Sequence, residues 1–471
     1  MRNLLFPLTA ALLASCNMAP KHVRPALPVA EQYPPAYAGD VALGVRATEL
    51  GWRDFFVDAR LERLVGQALE RNRDLAVSVA QIEEARGLYR IQRADQLPTL
   101  AGSADATRSR TGAASTGVPG SGSITTNRYA IGVGVTGFEL DFWGRVRNLS
   151  EAARSEYLAT VQAERAFRLT LVRDVASTYF TAREADERIA LAEATVKSRQ
   201  DGLRIAQRRL DAGVTSALDY RQAETLLTQA ETELAGLKLV RAQARNFLTV
   251  LIGGVIPGDL PEPLPLARQT DGRRLAAGLP SDLMVARPDV VAAEERLRAA
   301  RANIGAARAA FFPTISLTGN LGLASTSLGN LVGNDGLSWS FGPSLTVPIF
   351  DFGRNKGNLT VAEARENIAI ATYERTVQGA FQEVADALAG RAYLAEQVAA
   401  QERATTAQRQ LASLARTRYR EGVSGYLEVL DAERNLFSAE QALLTIKRQQ
   451  ADNLVTLYVA LGGGLVEGGA H

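Results

Sequence analysis

The sequence predicts a mixed membrane α/β architecture: a transmembrane β-barrel, assembled from more than one chain, that continues into long helical hairpins. Three observations lead there. The chain is written twice, it carries two pairs of alternating strands of bilayer-crossing length, and it has two proline-free stretches of roughly 60–70 residues. Composition agrees. With 46% apolar residues in 471, the chain can bury a large core. Its 53 Lys+Arg against 51 Asp+Glu leave a formal charge of +2 and no basic stripe for nucleic acid. One cysteine excludes an internal disulfide and a Cys-rich metal site. Two histidines, His22 and His471, give almost no material for a His-based catalytic or metal centre. The counts point to a channel, scaffold or binding protein, with no enzyme, cofactor or metal implied.

Residues 1–15 read as a secretory signal. Arg2 gives a positive start, Leu4 to Leu13 are largely apolar, and Ala14-Ser15 precede Cys16. The stretch is too short to span a membrane. It is similar to bacterial lipoprotein signals, which implies that Cys16 becomes the lipidated first residue of the mature chain. More than one acyl chain is enough for stable anchoring. Asn17, in place of the Asp that such lipoproteins use for inner-membrane retention, favours the outer membrane. Residues 16–56 then form a lipid-anchored N-terminal segment.

The repeat follows. Arg287-Pro288-Asp289-Val290 matches Asn72-Arg73-Asp74-Leu75 at an offset of 215, as Phe312-Pro313-Thr314-Ile315 matches Leu97-Pro98-Thr99-Leu100. Phe350-Asp351-Phe352 matches Leu140-Asp141-Phe142 at 210, and Gly422-Val423-Ser424 matches Gly213-Val214-Thr215 at 209. Each half, 57–252 and 282–462, is expected to be one structural unit of about 190 residues. A Pro/Gly-rich linker, 253–281, joins them, and 463–471 is a tail.

Each half reads helix, hairpin, long helix, turn, helix. Residues 57–96 and 282–311 read as helices, with Pro288 tolerated in the first turns and Pro98 and Pro313 as stops. The hairpins occupy about 98–142 and 313–350. In Thr314–Leu323, Ile315, Leu317, Leu321 and Leu323 share one face and small polar residues the other. Leu337–Ile349 alternates likewise, and Tyr129, Ile131, Val133 and Val135 do so before a phase switch at Thr136-Gly137, where a bulge is expected. The long helices, Ser150–Asp211 and Val361–Glu421, would each reach about 90–100 Å. They end at tip turns 213–216 and 422–425, with Gly213 and Gly422 at left-handed positions and Ser216 and Asp219 at capping-box spacing. The return helix carries the heptad column Leu430, Phe437, Leu444, Ala451 and Tyr458.

Strands with an apolar outer face and a small polar inner face suit a lipid-exposed barrel. Four strands cannot close, and an open edge would leave unpaired backbone in hydrocarbon. The chain must therefore oligomerise: two copies give eight strands, and three give twelve with an open lumen.

The doubled layout, the strand-to-helix junctions at Phe138–Arg145 and Ile349–Gly357, and the segment from Tyr419 to Leu443 are similar to the outer-membrane factor family of TolC- and OprM-like channels. The resemblance covers the chain from Cys16 to about Gly462. It implies a homotrimer with a twelve-stranded barrel in the outer membrane, a periplasmic α-helical barrel, and an equatorial belt from residues 17–56, 253–281 and the tail. It implies the exit duct of a tripartite drug-efflux machine, with a periplasmic adaptor and an inner-membrane pump of the proton-driven multidrug type. The outlet of a type I protein secretion system is the alternative within the family. A structural coiled-coil lipoprotein of the periplasm is the alternative outside it. Residue by residue, the resemblance places the periplasmic gate at Leu427, Glu428 and Asp431. It also matches Asp219 to an acid that in some members bridges to an Arg, but Ser424 stands at the base position, so that lock is not expected here. The apolar Val214 and Val423, beside Gly213, Thr215, Gly422 and Ser424 at exposed tips, suit docking of the adaptor.

Overall fold

The structure, a computed structural model, describes residues 17–38, 44–112, 122–270, 275–276, 278, 282–333 and 335–468. Cys16 and the signal segment lie outside the described residues. After two single-turn helices, Pro35–Ala38 and Trp52–Phe55, come α1 (Ala59–Arg71), α2 (Arg73–Ala94), β1 (Leu100–Thr111) and β2 (Ile124–Glu139). Next are α3 (Arg145–Asp211), α4 (Ala217–Leu251), α5 (Leu283–Ala286) and α6 (Pro288–Ala309). The chain continues through β3 (Thr314–Ser325), β4 (Leu337–Thr346), α7 (Arg354–Arg420) and α8 (Tyr426–Ala460). Helices α3 and α7 are 67 residues each, and α4 and α8 are 35 each. Among the described residues no helix is long and apolar enough to cross a membrane.

The unbroken helices expected over 57–96 and 282–311 are corrected: both break at the first repeat landmark. Asn72 accepts from Leu75 N at 2.8 Å, capping α2, and donates through Nδ2 to Leu251 O at 2.9 Å. In the second half Pro288 starts α6, where its missing N–H costs nothing. Arg287 there bonds Ala460 O (3.3 Å), Asp289 (2.7 Å) and Glu383 (2.6 Å). The return helices deliver these carbonyls through a shared device. Gly253 and Gly462 have φ of +68° and +83°, and a Cβ on either would collide with the carbonyl of Arg71 or Ala286.

The strands form one antiparallel sheet of order β1-β2-β3-β4. β1 and β2 pair Leu100 with Val135, β3 and β4 pair Ile315 with Leu345, and β2 pairs with β3 across the halves. The expected bulge is present between Val135 and Phe138, with Gly137 at φ +65°. β4 stops at Thr346 rather than Ile349, opposite Thr314, the first residue of β3. Among the described residues β1 and β4 have no outer partner strand.

The chain folds into two compact units, and neither follows a half of the sequence. One takes the residues up to Pro25, Gln81–Thr160 and Ala293–Tyr373, and the other Ala26–Ala80, Val161–Ala292 and Glu374–His471. Strand pairing between the halves joins them in one sheet. In the first unit, residues 18–24 lie along α6. Arg308 donates to Met18 O (3.3 Å), His22 meets Glu294 (3.1 Å), and Arg24 pairs with Glu294 (2.7 Å). Burial holds the His22 imidazole below its ordinary pKa.

The second unit holds the linker and the tail. Buried Asp58 accepts from Tyr179 (2.6 Å), Gln269 (2.7 Å) and Leu264 N (3.1 Å), tying α1, α3 and the linker together. Trp52 N bonds Val466 O at 3.1 Å, and Tyr458 stacks on Phe55 at 3.9 Å while donating to Leu50 O at 2.6 Å. A polar ladder joins α3 to α8. Arg188 bonds Glu184 (3.1 Å) and Gln441, and Glu184 takes Thr445 (2.7 Å) and Arg448 (2.5 Å). Arg448 also pairs with Asp452, whose carboxyl is pushed up to about 6, chiefly by burial.

Candidate functional site

The candidate site comprises the two helical turns and the first turns of α8, all within the second unit. Each long helix ends in the same backbone motif. Gly213 N bonds Leu210 O and Val214 N bonds Arg209 O, both at 2.9 Å. Gly422 N bonds Tyr419 O at 3.1 Å, and Val423 N bonds Arg418 O at 2.9 Å. These paired bonds satisfy the last carbonyls of a helix and need a left-handed residue, which Gly213 (φ +75°) and Gly422 (φ +73°) supply. Open space surrounds both, so conformation alone selects glycine.

The starts of the return helices differ. At α4 the capping box is complete. Ser216 Oγ accepts from Asp219 N (3.2 Å), and Asp219 accepts from Ser216 N (3.3 Å), Ser216 Oγ (3.0 Å) and Thr215 Oγ1 (2.6 Å). The Thr215 hydroxyl first, then Ser216, holds the Asp219 carboxyl below its usual range. At α8 the cap is Gly425, with no side-chain bond, and Ser424 Oγ has no partner. Asp219 is engaged within its own turn and Ser424 offers no base. The second turn therefore has the weaker cap.

The three residues expected to form a gate, Leu427, Glu428 and Asp431, sit together in the first turns of α8. Leu427 is 52% exposed. Glu428 pairs with Arg418 at 3.4 Å and Asp431 with Arg434 at 3.1 Å, each pair half-exposed and of small energetic weight. Val214 and Val423 are 63% and 69% exposed. The tips thus present apolar side chains that nothing among the described residues covers.

Sequence reasoning missed a bridge between the turns. Arg209, in the last turn of α3, donates to the Tyr419 hydroxyl in the last turn of α7 and lies 5.7 Å from its ring centroid. Tyr419 in turn packs on Tyr426 at 5.1 Å. A Cβ on Gly202 would strike the Tyr426 hydroxyl, which explains a glycine inside α3. The only early signal was position: Arg209 and Tyr419 precede their turn glycines by four and three residues. Nearby Arg199 is 8% exposed, and its Nε lacks a partner.

The family model described as Outer membrane efflux protein matches residues 64–254 and 279–463. The chain belongs to the outer membrane efflux protein family. The chain is similar to the solvent efflux pump outer membrane protein SrpC of Pseudomonas putida, 44% identical with 96% of each chain covered. It is 40% identical to the cation efflux system protein CusC of Escherichia coli, covering 98% of each. The open-state crystal structure of the outer membrane channel MtrE of Neisseria gonorrhoeae superposes with a TM-score of 0.87 at 42% identity, covering 96% of this chain and 99% of that one. This outer membrane efflux protein is a bacterial outer-membrane channel component of an efflux system and not an enzyme.

Proposed function

We propose that three copies of this protein form a passive duct that carries drugs or other small molecules from a periplasmic adaptor and a proton-driven inner-membrane pump to the exterior. The observation that carries the reading is the open four-stranded sheet. Its β4 face exposes Trp339, Phe341 and Leu345 at 72%, 67% and 63%, a hydrocarbon-facing pattern that is stable in lipid only when the sheet closes on further copies. Three copies give twelve strands and a lumen. In that assembly the Leu427 side chains form an apolar ring and Asp431 an acidic one, which close the pore by dewetting and favour cations. The exposed Val214 and Val423 dock the adaptor. SrpC and CusC are named for solvent and cation efflux. Those names support export of small solutes over proteins and leave the cargo to the pump.

The gate is tested by single-channel recording of the Leu427→Ala/Asp431→Ala double variant. Conductance should rise and cells should become permeable to large antibiotics. Unchanged conductance in a correctly assembled trimer would place the gate elsewhere. Anchoring by acylated Cys16 is tested with labelled palmitate, which Cys16→Ser should no longer incorporate.

A further inference from the structure

The internal repeat persists in the sheet pair by pair. Moving β1 by 215 positions and β2 by 210 turns Leu100↔Val135 into Ile315↔Leu345, and Gly102↔Val133 into Leu317↔Pro343, both of which are observed. The sheet has one seam between halves inside the chain, β2 to β3. There Val135 lies opposite Gly319, the bulge follows, and Leu140 N donates to Ile315 O at 2.8 Å. Just beyond, Trp143 donates to Pro313 O at 2.8 Å and stacks on Phe312 at 4.8 Å. The counterpart seam, β4 to β1, is open. Phe350 and Phe352 are 78% and 91% exposed on one side, and Leu97 and Leu100 are 70% and 71% exposed on the other. Among the described residues Phe352 is the non-glycine one held at positive φ, +53°, so strained backbone presents that ring.

We propose that β4 pairs with β1 of the neighbouring copy in the register obtained by carrying the β2–β3 seam through the repeat. Ser340 then faces Ser109, Leu345 faces Ala104 and, past a second bulge at Thr346-Val347, Phe350 faces Leu100. The inference rests on the oligomeric reading above and adds the register to it. An oddity of β1 supports it. Arg108 and Arg110 stand on the same face as Leu100 and Ala104, the face that in β4 carries Trp339, Phe341 and Leu345. In the derived register Arg108 lies opposite Phe341 and Arg110 opposite Trp339. Each guanidinium gains an aromatic ring across the seam, an arrangement that offsets the cost of charge on a lipid-facing surface. Arg110 already bonds Ser123 at 2.9 Å within its own hairpin.

Cysteine cross-linking in the full-length protein tests this. Ser340→Cys is combined with Ser109→Cys, the derived pair. Controls combine it with Thr107→Cys or Thr111→Cys, each displaced by two residues on the same face. Native mass in mild detergent first establishes the trimer, isolated outer membranes are then oxidised, and denaturing gels are read. The derived pair should yield covalent trimers at least fivefold more abundant than either control, and Leu345→Cys with Ala104→Cys should repeat this on the opposite face. Equal or greater cross-linking by a displaced pair overturns the register. So does failure of both derived pairs in a verified trimer. A monomeric mass overturns the oligomeric reading itself, and the seam with it.

Discussion

Tyr419 receives a hydrogen bond from Arg209 and packs with its ring tilted against Tyr426, so it connects the end of α3 to both sides of the second turn. With the gate proposed on α8, this bridge is expected to oppose movement of the second turn away from the end of α3. One hydrogen bond from a cation plus a partly exposed cation–π contact is worth about 1–2 kcal/mol. Tyr419→Phe, which removes only the hydroxyl, should raise the open probability in single-channel records by up to about tenfold. An unchanged value would remove Tyr419 from gating. A second prediction concerns Asp452. Its carboxyl is raised by burial from 3.8 to about 6, so between these values the folded chain binds more protons than the unfolded one. Stability from this group is fully present below about 3.8 and is lost as pH rises through about 6. Asp452→Asn keeps an acceptor for Arg448 and removes the titration. Relative to the parent, its melting temperature should be higher at pH 7.5 than at pH 4. An equal difference at both pH values would contradict the burial argument.

Among the elements, the breaks before α2 and α6 are the clearest device. Asn72→Ala removes the cap of Leu75 N and leaves Leu251 O without its donor, at a cost of about 1–3 kcal/mol. A lower melting temperature with normal assembly is expected; an unchanged one would mean that water replaces the side chain. These breaks were not legible from pattern alone. Asn72 sits in an uninterrupted charge-rich stretch, and its second bond, from Nδ2, goes to a carbonyl that arrives from the distant end of α4. The strands were legible because period two and the Thr136-Gly137 phase switch are local. The turns were legible because glycine at a left-handed position is local too. The bridge from Arg209 to Tyr419 was not, because it joins segments from opposite halves, and neither residue is unusual in a helix end.

At the scale of the whole molecule, docking can be separated from assembly. Val214→Asp with Val423→Asp leaves Gly213 and Gly422 and the backbone bonds of both turns intact. Trimer formation and membrane insertion should be normal, while efflux and adaptor cross-linking should fall to background; wild-type levels of both would rule out docking at the tips. The sheet carries a consequence for biogenesis. Its central seam pairs residue 139 with residue 316, so the first hairpin must wait for the rest of the first half, the linker and the start of the second half before its inner edge is satisfied. Non-local pairing of this kind folds slowly, and exposed edges invite aggregation in the interval. A polypeptide exported from its N-terminus therefore spends time with β1 and β2 present and unfinished. Maturation should depend steeply on soluble holdase chaperones of the periplasm, and a premature stop anywhere before β3 should leave a product fit only for proteolysis.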